Sequence, residues 1–220
     1  MRVLLIAVLL ITAVQSLAQT TPEVNLNNLR TAKGQVLTSP DLPKLQLKFD
    51  KAFKYVGGHT FILYDVARAE QHFFVDADKD GHVSRFYWVQ FEGYLPSNTH
   101  SYNYRSPKTV NIGGLDFFAD VYAQKVDPKQ GRPDSDGNRA REFLLSKGFK
   151  TASDEVMMQR LVHLLDKEKR NELMIIYLEV LTPTGLTSAD LATGGKAHDK
   201  WQTISEGLLQ RAQSGMQIIR

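Results

Sequence analysis

The chain contains no cysteine among its 220 residues. Without a thiol it has no disulfide, no zinc–thiolate or iron–sulfur site and no cysteine nucleophile. A lipid-modified cysteine is excluded for the same reason. Stability must therefore come from an ordinary hydrophobic core, which a domain of about 200 residues is large enough to bury.

The sequence also has little excess charge. Its 27 Lys and Arg residues nearly balance 24 Asp and Glu residues, giving a formal net charge of +3 at pH 7. Proteins that bind nucleic acid usually carry a large basic surplus, so we expect no nucleic acid among the partners. Hydrophobic residues make up 42% of the chain and aromatic residues 10%, which indicates a globular fold.

The familiar catalytic and cofactor-binding motifs are missing too. The sequence has no GxSxG, GxGxxG or Walker motif, and its six histidines show no HxH, HxxxH or HExxH spacing. Asp76–Gly81 has the acidic pattern that begins a calcium loop, but the twelfth position holds Tyr87 where that loop needs glutamate. The sequence therefore predicts neither a cofactor nor a metal site.

The N-terminus has the layout of a secretory signal peptide. Arg2 precedes the apolar run Val3–Val14, and the small residues Ser16 and Ala18 follow it. The run has twelve residues, whereas a membrane-spanning helix needs about 20. We expect cleavage after Ala18 and an exported protein, periplasmic or secreted, without a membrane span and with a bacterial source favoured. The alternative is an uncleaved membrane anchor.

The rest of the chain predicts one α+β domain. Residues 19–43 have little periodicity and three prolines, which indicates an extended lead-in to a single domain over 44–220. Alternating apolar residues predict strands between about 44 and 125 and over 173–181. Helical spacing predicts helices over 139–147, from Ser153 to Leu165, and over 197–214. The expected fold is a twisted antiparallel sheet or open half-barrel covered by C-terminal helices.

A β-hairpin between residues 71 and 91 is the best-defined element. Asp80-Gly81 between two aromatic and β-branched runs is a strong turn signal. Placing Asp78 opposite His82 sets a register in which His72 faces Trp88. In that register one face of the hairpin packs against the core. The other face carries aromatic residues, although a face exposed only to water would be polar.

This second face supplies the candidate site. Its aromatic end and its polar end together suit a ligand that needs apolar contact and a few orienting groups. His100 and Tyr102, from the Tyr- and Asn-rich segment 93–104, are predicted to line the rim of this site. The predicted ligand-binding residues are Glu70, His72, Phe74, Phe86, Trp88, Gln90, Glu92, His100 and Tyr102. Ordinary packing with an Arg68–Glu92 ion pair, and an oligomer interface, are the alternatives.

Three hypotheses about function follow. The first is an exported, non-enzymatic binding protein for a small, partly apolar or aromatic ligand. The second is an exported acid–base enzyme without a recognisable motif, in which His72 and a neighbouring carboxylate act together. The third is an envelope interaction protein, or a homodimer, whose aromatic sheet face is buried by a partner.

Overall fold

The computed structural model describes residues 24–106, 108–127, 129 and 132–220. The predicted signal peptide lies outside these residues. The strands are β1 (Thr31–Lys33), β2 (Val36–Ser39), β3 (Leu45–Phe49), β4 (Lys54–Leu63), β5 (Ala67–Ala77), β6 (His82–Tyr94), β7 (Lys108–Ile112), β8 (Leu115–Lys125), β9 (Lys150–Thr151), β10 (Glu155–Leu164), β11 (Asn171–Val180) and β12 (Met216–Ile219). The α-helices are α1 (Asp136–Ser146), α2 (Ser188–Leu191) and α3 (Trp201–Ser214), with 3-10 turns at Thr182–Thr184 and His198–Lys200.

The described strands form two sheets. The larger has the order β4-β5-β6-β11-β10-β8-β7 with antiparallel neighbours, and β9 adds a short parallel pairing to β6. The smaller has the order β1-β2-β3-β12. The large sheet is open, and helices follow the main run of strands. The predicted mixed α+β class is therefore confirmed, and strands make up more of the chain than helices do. Residues 31–39 of the predicted lead-in form β1 and β2.

The two faces of the large sheet are covered differently. One face, the sheet-packed face, lies against the small sheet and α3, and Phe74, Tyr87 and Leu161 belong to its core. The hydroxyl of Tyr87 donates to the carbonyl of Ala212 in α3 at 2.8 Å. The other face, the helix-packed face, lies against α1, and its core comprises Phe73, Val75, Val83, Phe86, Trp88, Ala140, Leu144, Val156, Val162, Met174, Ile176, Leu178 and Val180.

The predicted helix from Ser153 to Leu165 is wrong, because this segment contains β10. Its apolar residues Val156 and Met157, and again Leu161 and Val162, are all buried. Adjacent residues of a strand point to opposite faces, and both faces are covered here. A strand buried on both sides loses the alternation that identifies it, and the remaining apolar spacing imitates a helix.

The hairpin turn is confirmed, but its register is wrong beyond Asp76. Gly81 has φ +79° and Ala77 pairs with Val83, as the predicted register requires. The register then shifts, so that Asp76 pairs with Arg85 and Ser84 is an extra residue in β6. Such a bulge moves every later residue of one strand by one position, and no sequence feature marks it.

The shift divides the predicted aromatic face between the two sides of the sheet. Phe73 pairs with Trp88, and Phe74 with Tyr87, and paired residues share a face. Glu70, His72 and Phe74 therefore lie on the sheet-packed face. The helix-packed face carries Phe86, Trp88, Gln90 and Glu92.

Candidate functional site

A buried charged cluster on the sheet-packed face surrounds Glu70. This carboxylate is fully buried and accepts hydrogen bonds from the backbone N–H groups of Leu29 and Arg30 at 2.9 and 2.8 Å. It also accepts bonds from the guanidinium groups of Arg30 and Arg68 and from Nε2 of His72. Burial acts to raise the pKa of Glu70, but the hydrogen bond from His72 and those from the backbone outweigh it and lower this pKa to about 2.

His72 links this cluster to Tyr55. The Tyr55 hydroxyl lies 2.9 Å from Nδ1 of His72, and Nε2 of His72 lies 2.9 Å from Oε1 of Glu70. A His72 that carries its proton on Nε2 satisfies both contacts, with the Tyr55 hydroxyl as donor to Nδ1. Burial raises the pKa of Tyr55 to about 12, so this hydroxyl keeps its proton. The chain of contacts is therefore suited to anchoring the N-terminal segment.

A cleft of about 630 Å³ opens beside this cluster. It lies where the N-terminal segment passes the ends of β6 and β11. Its apolar lining includes Leu29, Leu42, Phe91, Leu95, Pro96 and Leu165, and its polar lining includes Arg30, Asp41, Arg68, Glu92, Asn171 and Glu172. The Arg30 guanidinium stacks over the Phe91 ring, with Cζ 4.1 Å from the ring centroid. This contact holds two lining side chains of the cleft in place. Leu29 and Leu42 stay 46% and 42% exposed, so they offer apolar surface to a ligand.

Two carboxyl groups meet on the helix-packed face. Glu92 of β6 and Glu172 of β11 are direct cross-strand partners. The Tyr102 hydroxyl donates to Glu92 at 2.8 Å, and the Tyr104 hydroxyl donates to Glu172 at 2.6 Å. Burial, and then the charge of Glu92, raises the pKa of Glu172 to about 8. Burial also raises the pKa of Glu92, so the pair favours holding a proton.

A chain of amides connects this carboxyl pair to the aromatic core. Gln90 is fully buried, and its amide nitrogen donates to Glu92 at 2.5 Å. The amide oxygen of Gln90 accepts from Trp88 Nε1 at 3.1 Å and from Gln71 Nε2 at 2.8 Å. His59 lies 2.8 Å from the Gln71 amide oxygen. Satisfied networks of this kind fix side-chain positions within a core.

The structure brings together only part of the predicted site. Trp88, Gln90, Glu92 and Tyr102 form one hydrogen-bonded network. Glu70 and His72 form another on the opposite face, next to Phe74. Phe74, on the sheet-packed face, is 0% exposed, and Phe86 and Trp88, on the helix-packed face, are 5 and 7% exposed, so a ligand or partner of either face must displace what covers them. His100 is exposed.

The predicted Arg68–Glu92 ion pair does not form. Arg68 pairs across the strands with Gly93 and binds Glu70 through its guanidinium. Sequence reasoning missed Arg30, which lies in the lead-in without any periodic signal. It also missed Glu172, whose only signal is a charged residue at the start of an apolar strand. Tyr55 and Tyr104 were missed as well, although Tyr104 lies in the Tyr-rich segment.

Across the part of the chain that the structure describes, one group of potential metal ligands comes together, Asp78, Asp80 and His82 at the hairpin tip. The Asp78 carboxylate already accepts from the backbone N–H groups of Asp80 and His82, as a turn residue does.

Within the same described residues, every helix is too short or too polar to cross a membrane.

No known family, characterised protein or solved structure is found to match this chain.

Proposed function

We propose that this chain is an exported, non-enzymatic binding protein that holds a small, mainly apolar ligand with one polar end in the cleft beside Arg30 and Arg68. The observation that carries the proposal is the cleft itself. Its volume of about 630 Å³ falls within the range of small-molecule sites, roughly 300–1,000 Å³. Its apolar lining supplies contact area, and its few polar side chains can orient one end of a ligand.

The walls of the cleft favour binding because they are already held in place. Arg30 donates to Ser39 Oγ at 3.2 Å and to the backbone carbonyls of Asp41 and Leu42 at 3.1 and 2.8 Å. Arg68 donates to the backbone carbonyls of Asn25 and Asn27. A site whose side chains are fixed before binding loses less conformational freedom when the ligand arrives.

Binding is favoured over acid–base catalysis by the His72–Glu70 pair because of where these two groups lie. His72 and Glu70 are both 0% exposed, and neither lines the cleft. Both groups also have their hydrogen-bonding positions filled by protein. A general base must reach the proton that it removes, and this arrangement gives His72 no such reach.

A fluorescence titration with 1-anilinonaphthalene-8-sulfonate tests the proposal, because this probe has an aromatic body and one anionic end. Leu29→Ser removes apolar surface from the cleft. Leu145→Ser is the matched control, since Leu145 is 47% exposed on α1 and does not line the cleft. Losing about 1 kcal/mol of apolar contact weakens binding roughly fivefold. We expect that loss for Leu29→Ser and wild-type affinity for Leu145→Ser. Equal affinities for the two variants would overturn the proposal.

A further inference from the structure

The charged side chains that line the cleft include more acids than bases. They are Arg30, Asp41, Arg68, Glu92 and Glu172. Both guanidinium groups bind the buried carboxylate of Glu70, which does not itself line the cleft. The positive charge of the wall is therefore balanced from behind, whereas the three acids add negative charge to the cleft. Walls with an excess of one charge attract ligands of the opposite charge.

Glu172 combines deep burial with an oxygen atom that can accept a bond from a ligand. It is 2% exposed and lines the cleft. Its Oε2 atom accepts from the Tyr104 hydroxyl at 2.6 Å, and within the described residues its Oε1 atom has no hydrogen-bond donor. A buried acceptor without a donor is costly. A ligand that donates a hydrogen bond to this atom is therefore favoured.

The protein groups that donate to the carboxyl pair are neutral throughout the described part of the chain. Glu92 accepts from the Tyr102 hydroxyl at 2.8 Å and from the Gln90 amide at 2.5 Å, and Glu172 accepts from the Tyr104 hydroxyl. These bonds position both carboxyls and stabilise their ionised form. They supply no positive charge to balance the pair.

The charges near the pair do not balance it either. Arg160 of β10 acts on Glu172, but its guanidinium bonds to Asp120 of β8 at 2.6 Å. Asp136, at the start of α1, adds a further negative charge. Buried charges are normally paired. A cation that enters the cleft would complete the pairing that the protein leaves open.

The carboxyl pair is held in place before any ligand arrives. Tyr94 lines the cleft and stacks on Tyr102, with ring centroids 4.5 Å apart. The backbone N–H of Tyr102 donates to the carbonyl of Lys169 at 2.8 Å. The Arg170 guanidinium donates to the carbonyl of Leu95 at 2.9 Å. Fixed walls reduce the conformational freedom that is lost on binding.

We propose that the polar end of the cleft ligand is a primary ammonium group, which binds between Glu92 and Glu172. This inference rests on the proposed function, because it names the ligand class of the same site. The two residues are direct cross-strand partners, whose Cβ atoms lie about 4.5–5.5 Å apart. One ammonium group has three N–H donors and can bridge both carboxyls. A metal ion fits less well, because a hard cation such as Ca²⁺ needs roughly six to eight oxygen ligands.

Three naphthalene probes with different polar ends test the proposal. They are 2-(1-naphthyl)ethylamine, 2-(1-naphthyl)ethanol and 3-(1-naphthyl)propanoate, and isothermal titration calorimetry at pH 8 measures their affinities. An alkyl ammonium group has a pKa of about 10 and stays charged at this pH. We expect the amine to bind at least about tenfold more tightly than the alcohol, because charge-assisted hydrogen bonds are stronger than neutral ones. The propanoate should bind most weakly. Equal affinities of amine and alcohol, or tightest binding of the propanoate, would overturn the proposal.

Glu172→Gln tests the carboxyl pair itself. Glu168→Gln is the matched control, because it removes the same charge from an exposed position in the turn between β10 and β11 that does not line the cleft. We expect Glu172→Gln to weaken amine binding at least about fivefold and to leave alcohol binding within about twofold. Glu168→Gln should match wild type for both probes. Equal loss of amine affinity in the two variants would overturn the proposal. If Glu172→Gln does not fold, Glu92→Gln replaces it under the same criteria.

The probe series also separates this inference from the proposed function. Equal binding of amine and alcohol, weakened alike by Leu29→Ser, would overturn the ammonium site and leave the binding cleft standing. Absence of binding by all three probes and by 1-anilinonaphthalene-8-sulfonate would refute both. The sulfonate probe carries an additional aromatic ring, so its apolar contacts can offset an anionic end in an acidic cleft.

Discussion

Nε2 of His72 lies 2.9 Å from Oε1 of Glu70, with both side chains fully buried on the same face of β5. The contact joins residues two apart on a strand, which share a face because strand side chains alternate. Through Glu70 it also fixes the N-terminal segment, since the backbone N–H groups of Leu29 and Arg30 donate to that carboxylate. One wall of the cleft therefore depends on this pair.

Replacing Glu70 should destabilise the protein strongly. Glu70→Gln leaves Arg30 and His72 without their buried carboxylate, and removing one partner of a buried ionic cluster typically costs about 3–5 kcal/mol. Urea unfolding at pH 7 measures the change in the free energy of unfolding. Asp80→Asn is the control, because Asp80 pairs with Lys79 at an exposed hairpin tip. A loss for Glu70→Gln no larger than that for Asp80→Asn would contradict the role of the cluster.

The same carboxylate predicts an acid limb in the stability profile. The pKa of Glu70 is about 2 in the folded protein, below its ordinary value of 4.5. A lowered pKa contributes stability that is fully present above about pH 4.5 and is lost as the pH falls towards 2. Urea midpoints measured from pH 6 to pH 2 should therefore fall more steeply for wild type than for Glu70→Gln. Parallel curves for the two proteins would refute this assignment.

Replacing Trp88 tests whether the ligand site is the cleft or the aromatic hairpin face predicted from the sequence. Its indole N–H donates to Gln90, and its ring packs in the core beneath α1. We expect Trp88→Phe to lose about 1–3 kcal/mol of stability, because it leaves part of the Gln90 network unsatisfied. Binding of 1-anilinonaphthalene-8-sulfonate by the folded variant should stay within twofold of wild type, since Trp88 does not line the cleft. A large loss of probe affinity in a stable variant would indicate that the probe binds at this aromatic face and not in the cleft.

Gly58 is required by its close approach to His72. A Cβ atom at position 58 would meet Nδ1 of His72 and the backbone carbonyl of Gln71, whereas one at Gly137 meets nothing within 4 Å. Gly58→Ala should therefore cost about 1–3 kcal/mol through overpacking. Gly137→Ala in the first turn of α1 should be neutral or stabilising. Thermal unfolding compares the two variants, and equal melting temperatures would contradict the close packing around His72.

The parts of the fold that a local sequence pattern determines could be predicted from the sequence, and the other parts could not. The turn at Gly81 and the first pair after it follow from local chemistry, as do α1 and the alternation in β3 and β8. The bulge at Ser84 has no local signal, and it moved Glu70 and His72 away from Trp88. The apolar spacing in β10 predicts a helix because both faces of this strand are buried.

The missing parts of the candidate sites share one cause. Arg30 reaches Glu70 across 40 residues of sequence, and Tyr104 reaches Glu172 across 68. Such contacts are set by the order of strands in the sheet, and periodicity within one segment carries no information about that order. Glu92 was predicted as a polar group of the site, but its cross-strand partner Glu172 was not.

Native mass spectrometry of the gently purified protein tests the central claim most directly. The account predicts a monomer cleaved after Ala18 that carries a discrete additional mass, retained by Leu145→Ser and diminished in Leu29→Ser. A bare chain that also takes up no 1-anilinonaphthalene-8-sulfonate when the probe is added would contradict the claim that the cleft is a binding site.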